Sequence, residues 1–385
     1  MHRLVISTVG TSLLTNAVNE DKDPKKWIFD LTKTANWTQE KIETSSDYYH
    51  VFSKIIVPLQ MRIEEKLDDS NILEIREMSA ELNGIYGLYD EKIEDGRYDT
   101  HILITTDTAQ GKATSQILGA FLKSKGIEAT FPLIQPELSI SSTAVFTETM
   151  AKLIPNMLET LKKYKDDKYE ICFNLVGGFK ALQGYFNTIG MFYADEIIYV
   201  FEGSHEVVKI PKLPITIDIE KVEEYKVQLA MMEFGAIPSF WEEAKKVPQE
   251  WRVIVEAEMI LSTWGQLIWD RCKDKLLSQN LLTFPRINYA DSFTEDYKKI
   301  KSNQEKIKLQ ETIAKVSQKL TLSKGSTEIL FGGGLDFNRY KNTTIDHFRV
   351  NDSLRVTCQA SGDTLQLHFY GTHDHVERSE KIKGR

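Results

Sequence analysis

Four of the eight histidines in this 385-residue chain, His347, His368, His373 and His375, fall between residue 347 and its end, alongside Arg349, Arg355 and Arg378. In the run IDHFRV the alternation of a strand puts His347 and Arg349 on one face, and in SLRVTC Arg355 projects from a neighbouring strand. Where those faces agree, the groups converge with GTHDH at residues 371–375. Such a cluster suits metal-free cleavage of RNA. A base takes the 2′-hydroxyl proton, a cation stabilises the charge on a phosphorane-like transition state, and an acid protonates the leaving oxygen. Histidine suits the acid and base roles because its pKa lies near neutrality. Each histidine also has a plainer reading as a surface or core-edge residue of a strand. His373 and His375, with Asp374 between them, would make two zinc ligands, but no third ligand stands at a familiar spacing, so no metal is expected.

A different chemistry is written at the ends of three strand-like runs. TVGTSLL places Thr8, Gly10, Thr11 and Ser12 where a strand gives way to a helix, and NLVGGFKA does the same with Asn174, Gly177, Gly178 and Lys180. TTDTAQGKA adds Thr105, Thr106, Asp107 and Thr108. Free backbone N–H groups and hydroxyls at such turns suit an anion, and glycine lets a ligand come close to the chain. Glycine after a strand is often only a turn device, so the weight rests on three polar strand ends sharing one rim. They point to a phosphate-bearing nucleotide ligand. No run matches G-x-G-x-x-G or a Walker sequence, which disfavours dinucleotide cofactors and nucleoside triphosphates.

The elements that must position these groups follow from periodicity. RLVIST (3–8), HILITTDT (101–108), a short strand from Ile127 into Leu133, YEICFNL (169–175) and IIYVF (197–201) read as buried strands. Helical patterns lie between them, including Gly111 to Gly126 and one opening at Lys180. That alternation predicts an α/β domain with a Rossmann-like, doubly wound parallel sheet over residues 1–212, whose ligand sits at the carboxyl ends of the strands. The rhythm stops after KLPITID, and residues 213–282 are expected to form a helical connector. Residues 283–385 read as a small α+β domain with a strand at 284–289, a long polar helix from Glu295 to Leu320, and a compact run of final strands. In LSTWGQLIWD, Trp264 and Trp269 are expected to pack rather than to stack on bases. The lysine-rich YKKIKSNQEKIK is expected to be a solvated helix face.

Composition narrows the function class. The chain is 41% hydrophobic with a formal charge of −8, too acidic to coat nucleic acid through bulk electrostatics, so any RNA contact must be local. Cys172, Cys272 and Cys358 show no C-x-x-C spacing and indicate neither a zinc site nor a disulfide framework. No apolar stretch of about 18 residues is present, and a cytoplasmic protein without membrane contact is expected.

TVGTSLL, SAELNGIYGL, TTDTAQGKATSQILGAFLKSKG and NLVGGFKA, in that order over residues 1 to about 210, resemble a CARF domain, the sensor of CRISPR-associated proteins. The resemblance implies a homodimer whose paired domains form one cleft for a cyclic oligoadenylate, most often cyclic tetra-adenylate, as allosteric activator. It also implies ligand contacts from Thr8, Gly10, Thr11, Ser12, the Thr105–Thr108 rim, Asn174, Gly177, Gly178 and Lys180. HFRVNDSLRV and FYGTHDHVER, following a long helix and a loop, resemble a RelE-type toxin domain, a ribosome-dependent mRNA endonuclease. On that resemblance Arg355 stabilises the scissile phosphate and His347 and Arg349 occupy basic positions of the cleft. His373 and His375 stand where family members often carry arginine or histidine. The tyrosine that some members use as a base has no counterpart near its expected place, around Ser379, which leaves histidine as the substitute. Arg339 and Lys341 are assigned to RNA backbone contact, with a solvated loop as the plainer reading. The combined expectation is a cyclic-oligoadenylate-activated endoribonuclease that cuts mRNA on the ribosome. Its rivals are a ligand-responsive regulator that binds DNA or protein, and a sensor that slowly cuts its own ring ligand.

Overall fold

The computed structural model describes all residues except 1, 137, 139–141, 202, 333 and 382–385. The chain divides into two compact units, Met1–Ile215 and Thr216–Arg385.

Unit 1 is built on a six-stranded sheet whose strands are β1 (Arg3–Thr8), β2 (Thr100–Thr106), β3 (Thr130–Gln135), β4 (Glu170–Asn174), β5 (Glu196–Val200) and β6 (Val207–Pro211). Their order is β3-β2-β1-β4-β5-β6, with β1 to β5 mutually parallel and β6 antiparallel at the edge. Strand alternation sends Val5, Leu103 and Cys172 into one core, shared with Leu59 and Ile63 of the helix Val57–Asp69 and Ile117 and Leu118 of Ala109–Ser124. Phe173, one residue along β4, faces the other way and meets Phe186 of the helix Lys180–Tyr193 at 5.9 Å between ring centroids. The sheet is therefore covered on both faces, as its near-continuous apolar strands require. The strand order reverses between β1 and β4, so the loops after these two strands diverge and leave a crevice at their carboxyl ends.

Unit 2 differs from a connector followed by a separate domain. Residues 237–261 form a three-stranded antiparallel sheet, β7 (Ile237–Pro238), β8 (Arg252–Val255) and β9 (Glu258–Leu261), in the order β7-β9-β8. Glu256, at φ 55°, turns the β8–β9 hairpin. Met259 of this sheet, with Met231 and Trp269 from the helices before and after it, shares one hydrophobic core with Phe293, Leu309, Ile313, Phe348 and Val356. Burial of common apolar area, rather than position along the chain, sets the boundary of the unit.

The second sheet holds β10 (Ile287–Tyr289), β11 (Asn338–Arg339), β12 (Asp346–Arg349), β13 (Leu354–Ser361) and β14 (Thr364–Thr372), in the order β10-β14-β13-β12-β11. Strand β10 runs parallel to β14 and every other pairing is antiparallel. The long helix expected from Glu295 is two helices, Asp291–Lys299 and Asn303–Leu322. Ser302 caps the second, its Oγ accepting from the Glu305 N–H at 3.3 Å, because a cap residue with extended backbone cannot continue the helix before it. Ser302 and Glu305 spell the S-x-x-E start signal. Along these helices Tyr297, Ile300, Ile307, Ile313, Val316 and Leu320 are buried in the core.

Candidate functional site

In unit 1 the three strand ends share one rim. Val9, Gly10, Thr11, Thr106, Thr108, Gly111, Gly178 and Phe179, with Ala35, Asn36 and Leu138, line a cavity of about 190 Å³. Small-molecule pockets usually span roughly 300–1,000 Å³, so this space suits one phosphate- or ribose-sized group and not a whole nucleotide ring.

Much of the polarity at this rim is used internally. The Gly10 N–H, expected to be free for an anion, donates to Glu81 Oε1 at 2.7 Å, and the Ser12 hydroxyl donates to Glu81 Oε2 at 3.3 Å. Glu81 is fully buried in the first turn of the helix Ala80–Leu88, so its own carboxylate occupies the place an incoming anion would take. A Cβ on Gly177 would lie 1.9 Å from Glu81 Oε1, and one on Gly10 would lie 3.0 Å from the Gly178 nitrogen. These glycines let the β1 and β4 turns close on Glu81 and on each other. Gly178 has φ 88° and faces Thr8 Cβ, which fits glycine twice over. The Thr8 hydroxyl donates to the Gly177 carbonyl at 2.5 Å. Asn174 lies inside the protein, with its side-chain N–H donating to Ser7 Oγ and the Glu81 carbonyl at 3.2 Å each. Thr108 caps the helix Ala109–Ser124 through the Gly111 N–H, and its hydroxyl pairs with that of Thr106 at 2.7 Å. Thr105 is buried with its hydroxyl unpartnered among the described residues, Asp107 is half-buried, and Lys180 is exposed at the start of its helix. Glu81 was missed by the sequence reading, although SAEL carried it in the first turn of a Ser-capped helix.

In unit 2, β12 pairs with β13 so that His347 stands opposite Thr357 and Arg349 opposite Arg355. All four side chains share the sheet face away from buried Phe348 and Val356. Tyr340, just past β11, lays its ring on His347 with centroids 4.4 Å apart and planes at 31°. Burial lowers the His347 pKa to about 4, helped by the charges of Arg355, His373 and Arg349 and opposed by Asp336. The imidazole is therefore neutral at pH 7, with a ring nitrogen unprotonated, though a weaker base than an exposed histidine. Burial raises the Tyr340 phenol above its ordinary value, and the facing Arg355 guanidinium partly offsets that rise.

The remaining expected groups divide. His373 opens the helix His373–Ser379, pairs with Glu377 through Nε2 at 2.8 Å, and contributes charge at His347. Arg349 pairs with Asp336 at 2.9 Å. His375 turns elsewhere, its Nε2 lying 3.1 Å from Asp296 Oδ2, and Asp296 also accepts from Lys299 and from the Tyr370 N–H. His373 and His375 thus have different partners, and among the described residues no group of three or more metal-ligand side chains occurs. His368 pairs with Glu380 at 2.9 Å. Arg339 makes a two-pronged bond to buried Asp346, at 2.8 and 3.0 Å, while Lys341 is exposed. Trp269 is fully buried, its indole N–H donating to Glu233 at 2.7 Å. Tyr340 is the residue that sequence reasoning passed over. It sits in the FNRYK run, whose two basic neighbours drew the assignment.

Residues 76–213, all within unit 1, match the model of a CRISPR-associated protein family, Cas_APE2256. The matched stretch takes in the helix carrying Glu81, strands β2 to β6, and the turn with Gly177 and Gly178. This part of the chain is similar to a CRISPR-associated protein. Among the described residues no helix is long and apolar enough to cross a membrane.

Proposed function

We propose that the chain is a ligand-activated endoribonuclease of CRISPR antiviral signalling, with unit 1 as the sensor of a cyclic oligoadenylate and unit 2 as the RNA-cutting output. The observation that carries this reading is the cluster of His347, Arg349 and Arg355 on one sheet face with Tyr340 stacked on His347, and with His373, at the start of the following helix, near enough for its charge to act on His347. Cutting RNA by its own 2′-hydroxyl needs a proton acceptor, a cation for the phosphate and a proton donor, and no cofactor. His347 takes the 2′-hydroxyl proton as the 2′-oxygen bonds to phosphorus. Arg355 holds the phosphate, Arg349 adds positive field, and His373 in its protonated form supplies the proton to the departing 5′-oxygen. The products are a 2′,3′-cyclic phosphate and a 5′-hydroxyl. His375 stands outside these steps, since Asp296 holds it.

The resemblance to a CARF domain and the match of residues 76–213 to a CRISPR-associated family support the sensor role, and the output role rests on the residues of unit 2 and their resemblance to a RelE-type domain. The small rim cavity of one chain favours a homodimer that completes a ring-sized cleft, with cyclic tetra-adenylate as the first ligand to try. An acidic chain binds free RNA weakly, so the ribosome positions its mRNA. Activation requires that the ligand bind the active arrangement more tightly than the inactive one.

The test is mRNA integrity in a cell-free translation system, with and without cyclic tetra-adenylate, comparing the native chain with Arg355→Ala. Ligand-dependent cleavage that Arg355→Ala reduces by about 100-fold or more is expected, the usual scale for losing a transition-state charge partner. Intact mRNA with every ring size, together with sequence-specific DNA binding, would overturn the reading in favour of a regulator.

A further inference from the structure

Among the described residues, nine buried side-chain nitrogen or oxygen atoms lack a hydrogen-bond partner, and four of them are Tyr340 Oη, His347 Nδ1, Arg355 Nε and Thr357 Oγ1. These four belong to one patch. His347 and Thr357 are cross-strand partners, Arg355 lies two residues from Thr357 on the same face, and Tyr340 stacks on His347 and faces Arg355. A buried polar atom left unpaired costs about 1–3 kcal/mol, and native proteins hold few of them, so four together call for a missing partner.

The chemistry of the four identifies that partner. Phenol, threonine hydroxyl and guanidinium Nε all donate, and His347 Nδ1 donates in the tautomer or charge state that protonates it. The carboxylates near this patch have other partners: Asp336 pairs with Arg349, Glu377 with His373 and Glu380 with His368. Among the described residues Arg355 has no ion pair, whereas its neighbour Arg349 does. Arg355 faces the Tyr340 phenol closely enough to lower its pKa but carries no carboxylate, and a patch lined by hydroxyls and a guanidinium without a counter-charge takes an anion.

We infer that Tyr340, His347, Arg355 and Thr357 form one pocket for a phosphodiester phosphate, with the Tyr340 and Thr357 hydroxyls donating to its nonbridging oxygens. That this phosphate is the scissile one rests on the endonuclease reading above; the pocket itself does not. Tyr340 and Thr357 then join Arg355 as groups that touch substrate.

The probe is inorganic phosphate, added to the full-length chain while the His347 ring protons are followed by NMR across pH. This signal comes from a residue of the patch itself. Phosphate is expected to raise the His347 pKa from its depressed value, with no such rise in chloride at equal ionic strength. Tyr340→Phe and Thr357→Val, folded by circular dichroism, should each weaken the phosphate response roughly tenfold, the scale of one charge-assisted hydrogen bond. A His347 titration that ignores phosphate, or follows chloride equally, overturns the pocket, and the native chain decides this even where a variant unfolds. A response that survives in the Tyr340→Phe/Thr357→Val double variant removes the two hydroxyls from it. If phosphate acts as expected but no RNA is cut, the pocket stands and the endonuclease reading falls. If RNA is cut in an Arg355-dependent way while both hydroxyl variants cut at the native rate, the endonuclease reading stands and the pocket falls.

Discussion

The two candidate sites treat their polar groups in opposite ways. At the rim of unit 1 the Gly10 N–H, the Ser12 and Thr8 hydroxyls and the Asn174 amide all bond to the protein itself, with Glu81 at the centre. On the polar face of unit 2, Tyr340, His347, Arg355 and Thr357 each hold a buried atom back from any such bond among the described residues. Satisfied buried groups hold loops together, and their loss is felt as instability. Unsatisfied ones weaken the fold slightly and stay available for a ligand. The same residue types, hydroxyls beside glycine or arginine, thus serve architecture in one place and binding in the other.

The largest test of that contrast is Gly177→Ala. Its methyl would lie 1.9 Å from the Glu81 carboxylate, which cannot retreat without giving up Gly10 and Ser12. We expect a loss of roughly 1–3 kcal/mol in chemical denaturation, carried by unit 1, as for other overpacked sites. An unchanged midpoint would mean that the turn is held by something other than this close approach. Histidine sharpens the comparison next, because each unit buries one whose pKa is driven down by burial. His101 falls to about 3 and His347 to about 4. Both bind a proton in the unfolded chain before they do in the folded one. Each therefore leaves stability intact above its unfolded pKa, about 6.5, and withdraws it as pH falls toward the folded value. Acidification from pH 6.5 to 4 should destabilise both units, and His101→Asn and His347→Asn should each flatten the pH profile of its own unit. The two should part on adding phosphate, which moves the profile of His347 and leaves that of His101 alone. The smallest effect is expected from Lys341→Ala, an exposed residue whose removal should change stability by less than about 0.5 kcal/mol. If Lys341 meets RNA backbone, its loss shows only as a weaker salt dependence of binding.

Much of unit 1 was legible because its signals are local. Apolar runs of strand length, breaks at Gly10 and Gly177, and helical patterns resuming after each turn repeat along the chain, so that β1 to β5 lie within a few residues of the predicted strands, whereas the antiparallel edge strand β6 was not foreseen. In unit 2 the last strands were equally readable, since Asn351-Asp352 and Ser361-Gly362-Asp363 punctuate alternating runs. The break at residues 300–302 was overlooked because a continuous apolar face spans both helices, and the face says nothing about the axis between them. The β8–β9 hairpin was hidden in a stretch whose flanks are helical. Tyr340 could not be ranked above other tyrosines, because what singles it out is the ring it lies against and the bond it does not make.

Sequence alone determined most strands and turns of unit 1, the final strands of unit 2, and that His347 and Arg349 share a face, because periodicity and turn chemistry act over a few residues. The tertiary structure decided that Glu81 reaches the Gly10 turn from 71 residues away, that strand register sets Arg355 opposite Arg349, that His375 is drawn off to Asp296 while His373 stays, and that four buried polar atoms meet without a partner among the described residues. Those outcomes depend on which elements pack together, and packing is settled by the burial of shared apolar surface and not by local pattern.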